Sequence, residues 1–473
     1  MERIFQLKEN GTTVRTELLA GLTTFMTMAY IIALNPNVLT GFDTASPLWN
    51  GVFLATCLSS ALAMFCMAFL ANKPFALAPC MGLNSFFAAM VANIAALTGM
   101  SYLRSFQSAL VIILVEGVVF FVLSLLNVRE KIVGAIPLGV RLGITPAVGM
   151  MLLNIGLGSN VGIYSETGGP FYVMRDFFGS LAPTAARDMM GSGYPAMVLT
   201  AVTILAGLIL IVVLAKRGVR AAVLLGMLAA SLVYWAGEAV ILGENPFADL
   251  TAASFLPPFG DMAETTLFHF DFKGFLQIGW FTALTSVITF CIIDMFDTIG
   301  TLVGIATQVG MVDERGKMPR MREALLSDAV GTMVGACSGT STVTTFVESA
   351  AGVESGGRTG LTALSTGLLF LACIFLAPVA AVIPAAATSP ALIYVGVLML
   401  RGLRDVDFGD LDQMVPVALM MIGMPVSGSV GHAIGLGMIS FTAIKLFSGR
   451  GWEVSALTYG IALLFLVKFF LIV

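Results

Sequence analysis

Residues 339–353 read GTSTVTTFVESAAGV, and residues 78–84 read APCMGLN. The first run is too β-branched and too glycine-flanked for an uninterrupted helix. The second is broken by Pro79, which lacks an N–H, and by Gly82, whose backbone is too free. Yet both lie inside long apolar stretches, one in each half of the chain. Extended backbone at membrane depth leaves N–H and C=O groups without water, and is tolerated only where it lines a cavity or is buried in protein. Two broken spans in matching positions predict an all-α polytopic membrane protein with a site where they meet.

Composition agrees. Of 473 residues, 58% are hydrophobic and 11% charged, and the mean hydropathy is +0.95. A soluble domain carries about 25% charged residues, so this chain cannot cover a water-facing surface, and a soluble enzyme or a disordered scaffold is excluded. A net charge of −4 gives no basic footprint for nucleic acid. The six cysteines lie in apolar stretches without CxxC spacing, which argues against a disulfide framework or a zinc site, and two histidines are too few for a haem or copper chain. The charged N-terminus MERIFQLKENGTTVRTE lacks a cleavable signal pattern.

Hydropathy predicts spans at 16–38, 51–71, 74–95, 106–127, 135–158, 192–215 and 219–241. A second set follows at 276–305, 322–339, 341–355, 358–382, 386–402, 412–447 (broken at Pro425) and 453–472. With the N-terminus inside, Arg3, Lys8, Arg15, Lys73, Arg129, Lys131, Lys216, Arg217, Arg220, Arg315, Lys317, Arg320, Arg322, Arg358, Arg401 and Arg404 fall on the cytoplasmic face. Arg104, Arg175, Arg187, Lys273, Lys445 and Arg450 fall on the other. That bias predicts an even number of spans and two cytoplasmic termini. The halves also share a local pattern: Ile136-Pro137 then Thr145-Pro146-Ala147, against Ile383-Pro384 then Ser389-Pro390-Ala391. Seven spans per half is odd, so the repeats are inverted, the arrangement of secondary transporters whose substrate sits at the midplane.

Ionisable residues at bilayer depth are costly and point to function. They are Glu116, Glu238, Asp294, Asp297, Asp328 and Glu348. Glu238 is expected at the outer end of its span, Glu116 in a bond to a neighbouring helix, and Asp328 in a first-turn cap or ion pair. Asp294 and Asp297, at i and i+3, share one helix face. Two carboxylates that close in a low dielectric cannot both ionise cheaply, which makes them a proton site or a ligand for a polar substrate. Glu348 follows the broken run and opens the next half-helix, whose dipole favours its anion. Asn84 follows the other break. A carboxylate, an amide and the aromatic rings of Tyr30, Phe86 and Phe346 are what a flat heteroaromatic ring needs.

Several strings resemble the AzgA-like purine permeases, the adenine, guanine and hypoxanthine branch of the nucleobase–cation symporters that also hold the uracil and xanthine permeases. They are TFMTMAYIIALNP (24–36), APCMGLNSFFA (78–88), DMFDTIGTLVG (294–304), EALLSDAVGTMVGACSGTSTVTTFVESAAGVESGGRTGLTAL (323–364) and IPAAATSPALIYVG (383–396). The resemblance runs from residue 1 to 473. It departs at Cys80, where family members usually carry Gly, a small-for-small change. What it implies is a fourteen-span, seven-plus-seven inverted repeat. A core domain (1–130 and 276–382) holds substrate, and a gate domain (131–275 and 383–473) forms a homodimer contact. The family's span-eight acid falls on Asp297, its span-ten Glu on Glu348 and its span-three amide on Asn84. Where the uracil relative has a proton-binding histidine this chain has Thr301, and Asp294 is our candidate to replace it.

The expectation is therefore an inner-membrane purine nucleobase:proton symporter with no cofactor. Glu348 and Asp297 hold the base and Asn84 shapes the pocket. Thr27 and Tyr30 line it, and backbone at Ser85, Phe86, Phe346 and Val347 adds polar contacts. Asp294, Asp297 and Glu348 carry the proton. An anion carrier of the sulfate or bicarbonate kind is the rival on the same fold, disfavoured because the cavity acids would repel an anion. An intramembrane aspartyl protease is a weaker rival, since two Asp on one helix turn cannot embrace a water from opposite sides.

Overall fold

The computed structural model describes residues 2–41, 43–126, 137–154, 156–157, 194–247, 254–308, 311, 318–427 and 430–471. Among these, nine helical stretches are long and apolar enough to cross a bilayer, and four shorter apolar helices accompany them. The first half holds α1 (Val14–Met28), α2 (Ile31–Leu39), α3 (Pro47–Cys66), strand β1 (Leu77–Pro79), α4 (Met81–Thr98), α5 (Tyr102–Leu125), α6 (Leu138–Asn154), α7 (Tyr194–Lys216) and α8 (Ala222–Gly237). The second holds α9 (Trp280–Gln308), α10 (Met321–Ser338), strand β2 (Val343–Thr345), α11 (Ser349–Glu354), α12 (Gly360–Ala372), α13 (Ala385–Met399), α14 (Leu411–Ser427), α15 (Val430–Phe447) and α16 (Ala456–Leu471). Local chemistry sets the ends. Thr13, Ser46, Ser101 and Thr359 accept backbone N–H bonds at the starts of α1, α3, α5 and α12. Gly339, at φ +107°, ends α10 just ahead of β2.

Both interruptions read from the sequence are present. β1 and β2 pair antiparallel, Leu77 opposite Thr345, Ala78 opposite Thr344 and Pro79 opposite Val343. Each strand leads straight into a helix, β1 into α4 and β2 into α11. The exposed backbone of one break is thus satisfied by the other.

Two helix groups surround this crossing. In one, α12 packs on α1 and α3, α10 on α3 and α5, α9 on α5, and α11 on α1. Buried polar ties hold the group together. Glu17 of α1, with zero exposure, accepts from the N–H groups of Arg358 (2.8 Å), Thr359 (3.3 Å) and Thr362 (3.2 Å) and from the Thr362 hydroxyl (2.6 Å), capping α12 from another helix. Asn35 donates to the hydroxyls of Thr56 (2.7 Å) and Thr340 (2.9 Å), joining α2, α3 and the approach to β2. In the other group α6 packs on α13, α14 and α15, while α13 packs on α7 and α8. A Cβ on Gly149 would lie 2.7 Å from the Gly396 carbonyl, and a Cβ on Gly396 2.8 Å from the Gly149 carbonyl. The helices with matched proline strings therefore cross at reciprocal glycines. Of the first string, Ile136 lies outside the described residues.

The stretch 412–447, expected as one broken span, is instead a helical hairpin. Asp412 at the start of α14 pairs with Lys445 (2.8 Å) near the end of α15 and with Arg450 (2.9 Å) just beyond it. A Cβ on Gly423 would meet Leu436, and one on Gly437 would meet Met420. The two helices run antiparallel and both ends lie at one face. The reason is electrostatic and steric: a nearly buried carboxylate needs its cations, and glycines let the arms close. The hairpin moves Lys445 and Arg450 to the face that carries Arg401 and Arg404, against their expected placement. Arg129, Lys131, Arg175, Arg187, Arg315 and Lys317 lie outside the described residues.

Candidate functional site

The two strands, the break in the first span and α9 converge on a cavity of about 610 Å³, within the roughly 300–1,000 Å³ usual for small-molecule sites. Its opposite wall comes from Thr145 of α6, Val223 of α8, and Tyr394 and Met399 of α13. Arg220 and Arg401, both exposed, stand on its rim with Glu354.

Thr24 and Thr27 bond back to the carbonyls of Ala20 (3.1 Å) and Thr24 (2.7 Å) just before the helix stops at Ala29 and Tyr30. Such back-bonding competes with the helical ladder and bends it. The break turns Tyr30 towards β2, where its hydroxyl donates to Glu348 Oε1 at 2.8 Å. Glu348 stands between β2 and α11 and is half-buried on the cavity wall. Since α11 has only six residues, its dipole offers the anion less than a full half-helix would. On α9, half-buried Asp297 faces the same cavity, and its Oδ2 accepts from Cys80 Sγ (3.1 Å) and Thr344 Oγ1 (3.3 Å). Those partners sit at the end of β1 and within β2, so the strand crossing itself positions the second acid. Two acids, a phenol, an aromatic ring and apolar walls can hold a small planar ligand by its N–H edges and its faces.

Glu348, Asp297, Thr27, Tyr30, Phe346 and Val347 all line the cavity. Asn84, Ser85, Phe86, Thr301 and Asp294 do not. Asn84 has zero exposure; its Oδ1 accepts from Ser341 and its Nδ2 donates to the Pro79 carbonyl (3.3 Å). It ties the two breaks together behind the cavity, because at the fourth position of α4 it turns inward. Ser85 bonds back to Met81, and Phe86 packs on Phe290 with centroids 4.6 Å apart. Thr301 is buried away from the cavity.

Asp294 and Asp297 do not act as one face. Asp294 is buried, and the Thr298 hydroxyl lies 3.1 Å from it and 3.0 Å from Asp328 of α10. Three residues of helix turn point the two carboxyls to different neighbours. Asp328 is therefore no first-turn cap; it sits buried inside α10 against α9. Glu116, expected to bond a neighbouring helix, accepts at 2.7 Å from Thr342 Oγ1, which lies in the extended segment just ahead of β2. Sequence reasoning missed Thr344, Tyr394 and the bonding role of Cys80. Only Cys80 and Thr344 carried a signal, their places beside the breaks. Among the described residues no group of three or more His, Cys, Asp or Glu is placed to hold a metal ion.

The sequence profile Xan_ur_permease, described as "Permease family", matches residues 15–434. The chain belongs to this family. The permease is 37% identical over 471 residues to the adenine permease AdeP of Escherichia coli (strain K12), covering 99% of this chain and 95% of that protein. It is 34% identical over 472 residues to the guanine/hypoxanthine permease PbuO of Bacillus subtilis (strain 168), covering 99% and 100%. Among solved structures, the transmembrane domain of the cyanobacterial bicarbonate transporter BicA superposes with a TM-score of 0.62 at 16% identity, covering 89% of this chain and 96% of that one. Murine Slc26a9, an anion transporter in its inward-facing state, gives 0.63 at 12% identity, covering 92% and 68%. At such identities the likeness is one of fold. The permease is a transporter rather than an enzyme.

Proposed function

We propose that this permease imports purine nucleobases by proton symport across the cell (inner) membrane. The observation that carries the reading is the placement of Glu348, braced by Tyr30, and Asp297, braced by the strand crossing, on one cavity of purine-accommodating size. The full-length likeness to permeases named for adenine and for guanine and hypoxanthine supports the substrate class. Glu348 accepts ring N–H groups, Asp297 anchors a second edge, and Phe346 packs against the base. Protonation of Asp297 or Glu348 removes the cost of moving a bare carboxylate through a closed state, which couples proton to substrate. Asp294 and Asn84 support this site from behind. An anion substrate is disfavoured by the same two acids, despite the fold shared with anion transporters.

The architecture that goes with this reading is two inverted halves of seven spans, with α14 and α15 as the last two. The core domain is 1–130 and 276–382, and the gate domain, through which the protein dimerises, is 131–275 and 383–473. The crossing of β1 with β2 and the reciprocal Gly149–Gly396 contact support an inverted pair. α6 packs on α14 and α15 as α13 packs on α7 and α8, which supports the same pairing. The N-terminus and the start of α16 then lie in the cytoplasm.

The test is uptake of radiolabelled adenine, guanine, hypoxanthine and uracil into proteoliposomes, with and without an inward proton gradient. Gradient-driven purine accumulation abolished by Glu348→Gln is the expected result. Purine binding without gradient-driven accumulation would overturn the proton coupling, and no purine binding would overturn the substrate.

A further inference from the structure

Of the six cysteines, Cys80 is the one that lines the cavity. It caps the start of α4, and backbone bonds hold it on both sides: its N–H donates to the Thr342 carbonyl (3.3 Å) and its carbonyl accepts from the Asn84 N–H (2.8 Å). The side chain is thereby aimed by the β1–α4 junction. Its sulfur lies 3.1 Å from Asp297 Oδ2, the oxygen that Thr344 also reaches. Both donors converge on Oδ2, and neither occupies Oδ1. Two donors on one oxygen set the plane of a carboxylate and leave its other oxygen to a ligand.

We infer that Cys80 is a positioning residue of the purine site, its thiol fixing Asp297 so that Oδ1 meets the substrate, and its sulfur becoming covered when a base is bound. This rests on the purine reading above and assigns a role that the two acids alone do not require. The other titratable and charged groups turned to the same cavity are Glu348 from between β2 and α11, Tyr30 from the first span and Tyr394 from α13, with Arg220, Glu354 and Arg401 on the rim.

Labelling with N-ethylmaleimide tests it on the full-length protein in proteoliposomes. Cys66 and Cys337, half-exposed but off the cavity, are first replaced by Ala, and Cys57, Cys291 and Cys373 are buried. In the labelling step the sulfur–carbon bond forms, the reagent's C=C π bond opens, and the thiol proton ends on the neighbouring carbon. Cys80 should label, the transported purine should slow labelling several-fold, and the labelled protein should lose uptake. Absence of labelling, or labelling that a bound purine does not slow, would overturn the inference.

Two variants separate positioning from packing. Serine is a stronger donor than a thiol and alanine is none, so Cys80→Ser and Cys80→Ala should move the pH midpoint of uptake in opposite senses. Equal midpoints would count against a positioning role. Should no purine bind at all, the substrate reading has failed, and Asp297→Asn still examines the contact. Cys80 should then label several-fold faster, because its thiolate no longer forms beside a second negative charge. An unchanged rate would dismiss the thiol–carboxylate contact whatever the substrate.

Discussion

Tyr30 contributes a hydroxyl to Glu348 where its sequence context suggested only a stacking ring. A hydrogen bond to a charged group is worth about 1.5–3 kcal/mol, and each 1.4 kcal/mol is about tenfold in affinity. Tyr30→Phe is therefore expected to weaken purine binding by about tenfold or more while leaving the protein folded, which equilibrium binding to purified protein would read. Asp297→Asn should abolish gradient-driven accumulation while some binding survives; accumulation at the wild-type level would remove Asp297 from the coupling. Glu348 and Asp297 were legible in the sequence because an acid at membrane depth needs a purpose. Asn84 was misjudged because its rotation about α4 depends on Ser341, far away in sequence. The separation of Asp294 from Asp297 was hidden for the same reason, since Asp328 comes from another helix.

Glu17 illustrates how one helix completes another. Its buried carboxylate accepts four bonds at the start of α12, so Glu17→Ala leaves those donors unpaired inside the protein. The cost should be about 3 kcal/mol or more, visible as a lower melting temperature and reduced yield of folded permease. A smaller tie sits outside the spans. Burial pushes the Asp271 carboxyl up, but the Gly274 N–H and the Arg104 guanidinium override it and hold it below the usual range. A carboxylate held low stabilises the fold above its unfolded value of about 4, and that contribution fades as the pH falls through the folded value. Arg104 is half-exposed, so the pair is worth at most about 1 kcal/mol. Arg104→Ala should lower the melting temperature slightly at neutral pH, and the difference should shrink as the pH falls through the folded-state value of Asp271. The broken segments themselves were readable, because β-branched runs and Pro–Gly pairs resist helix locally. Their pairing with each other was not, since nothing local joins residue 78 to residue 344.

Across the permease, the hairpin of α14 and α15 changes which face its ends occupy. Cysteines at Phe408 and Ser448 should react with a membrane-impermeant thiol reagent from the same side, whereas a single span between them would separate the two. Reciprocal glycines 149 and 396 let α6 and α13 touch backbone to backbone. Class, most of the apolar spans, the two breaks and the identity of the two cavity acids are written in hydropathy and in the cost of polar groups in lipid, properties each segment carries alone. The hairpin, the inward turn of Asn84, the Cys80–Asp297 bond and the capping by Glu17 belong to the tertiary structure. Each depends on a partner from a distant segment, and only helix rotation and packing decide which side chains meet.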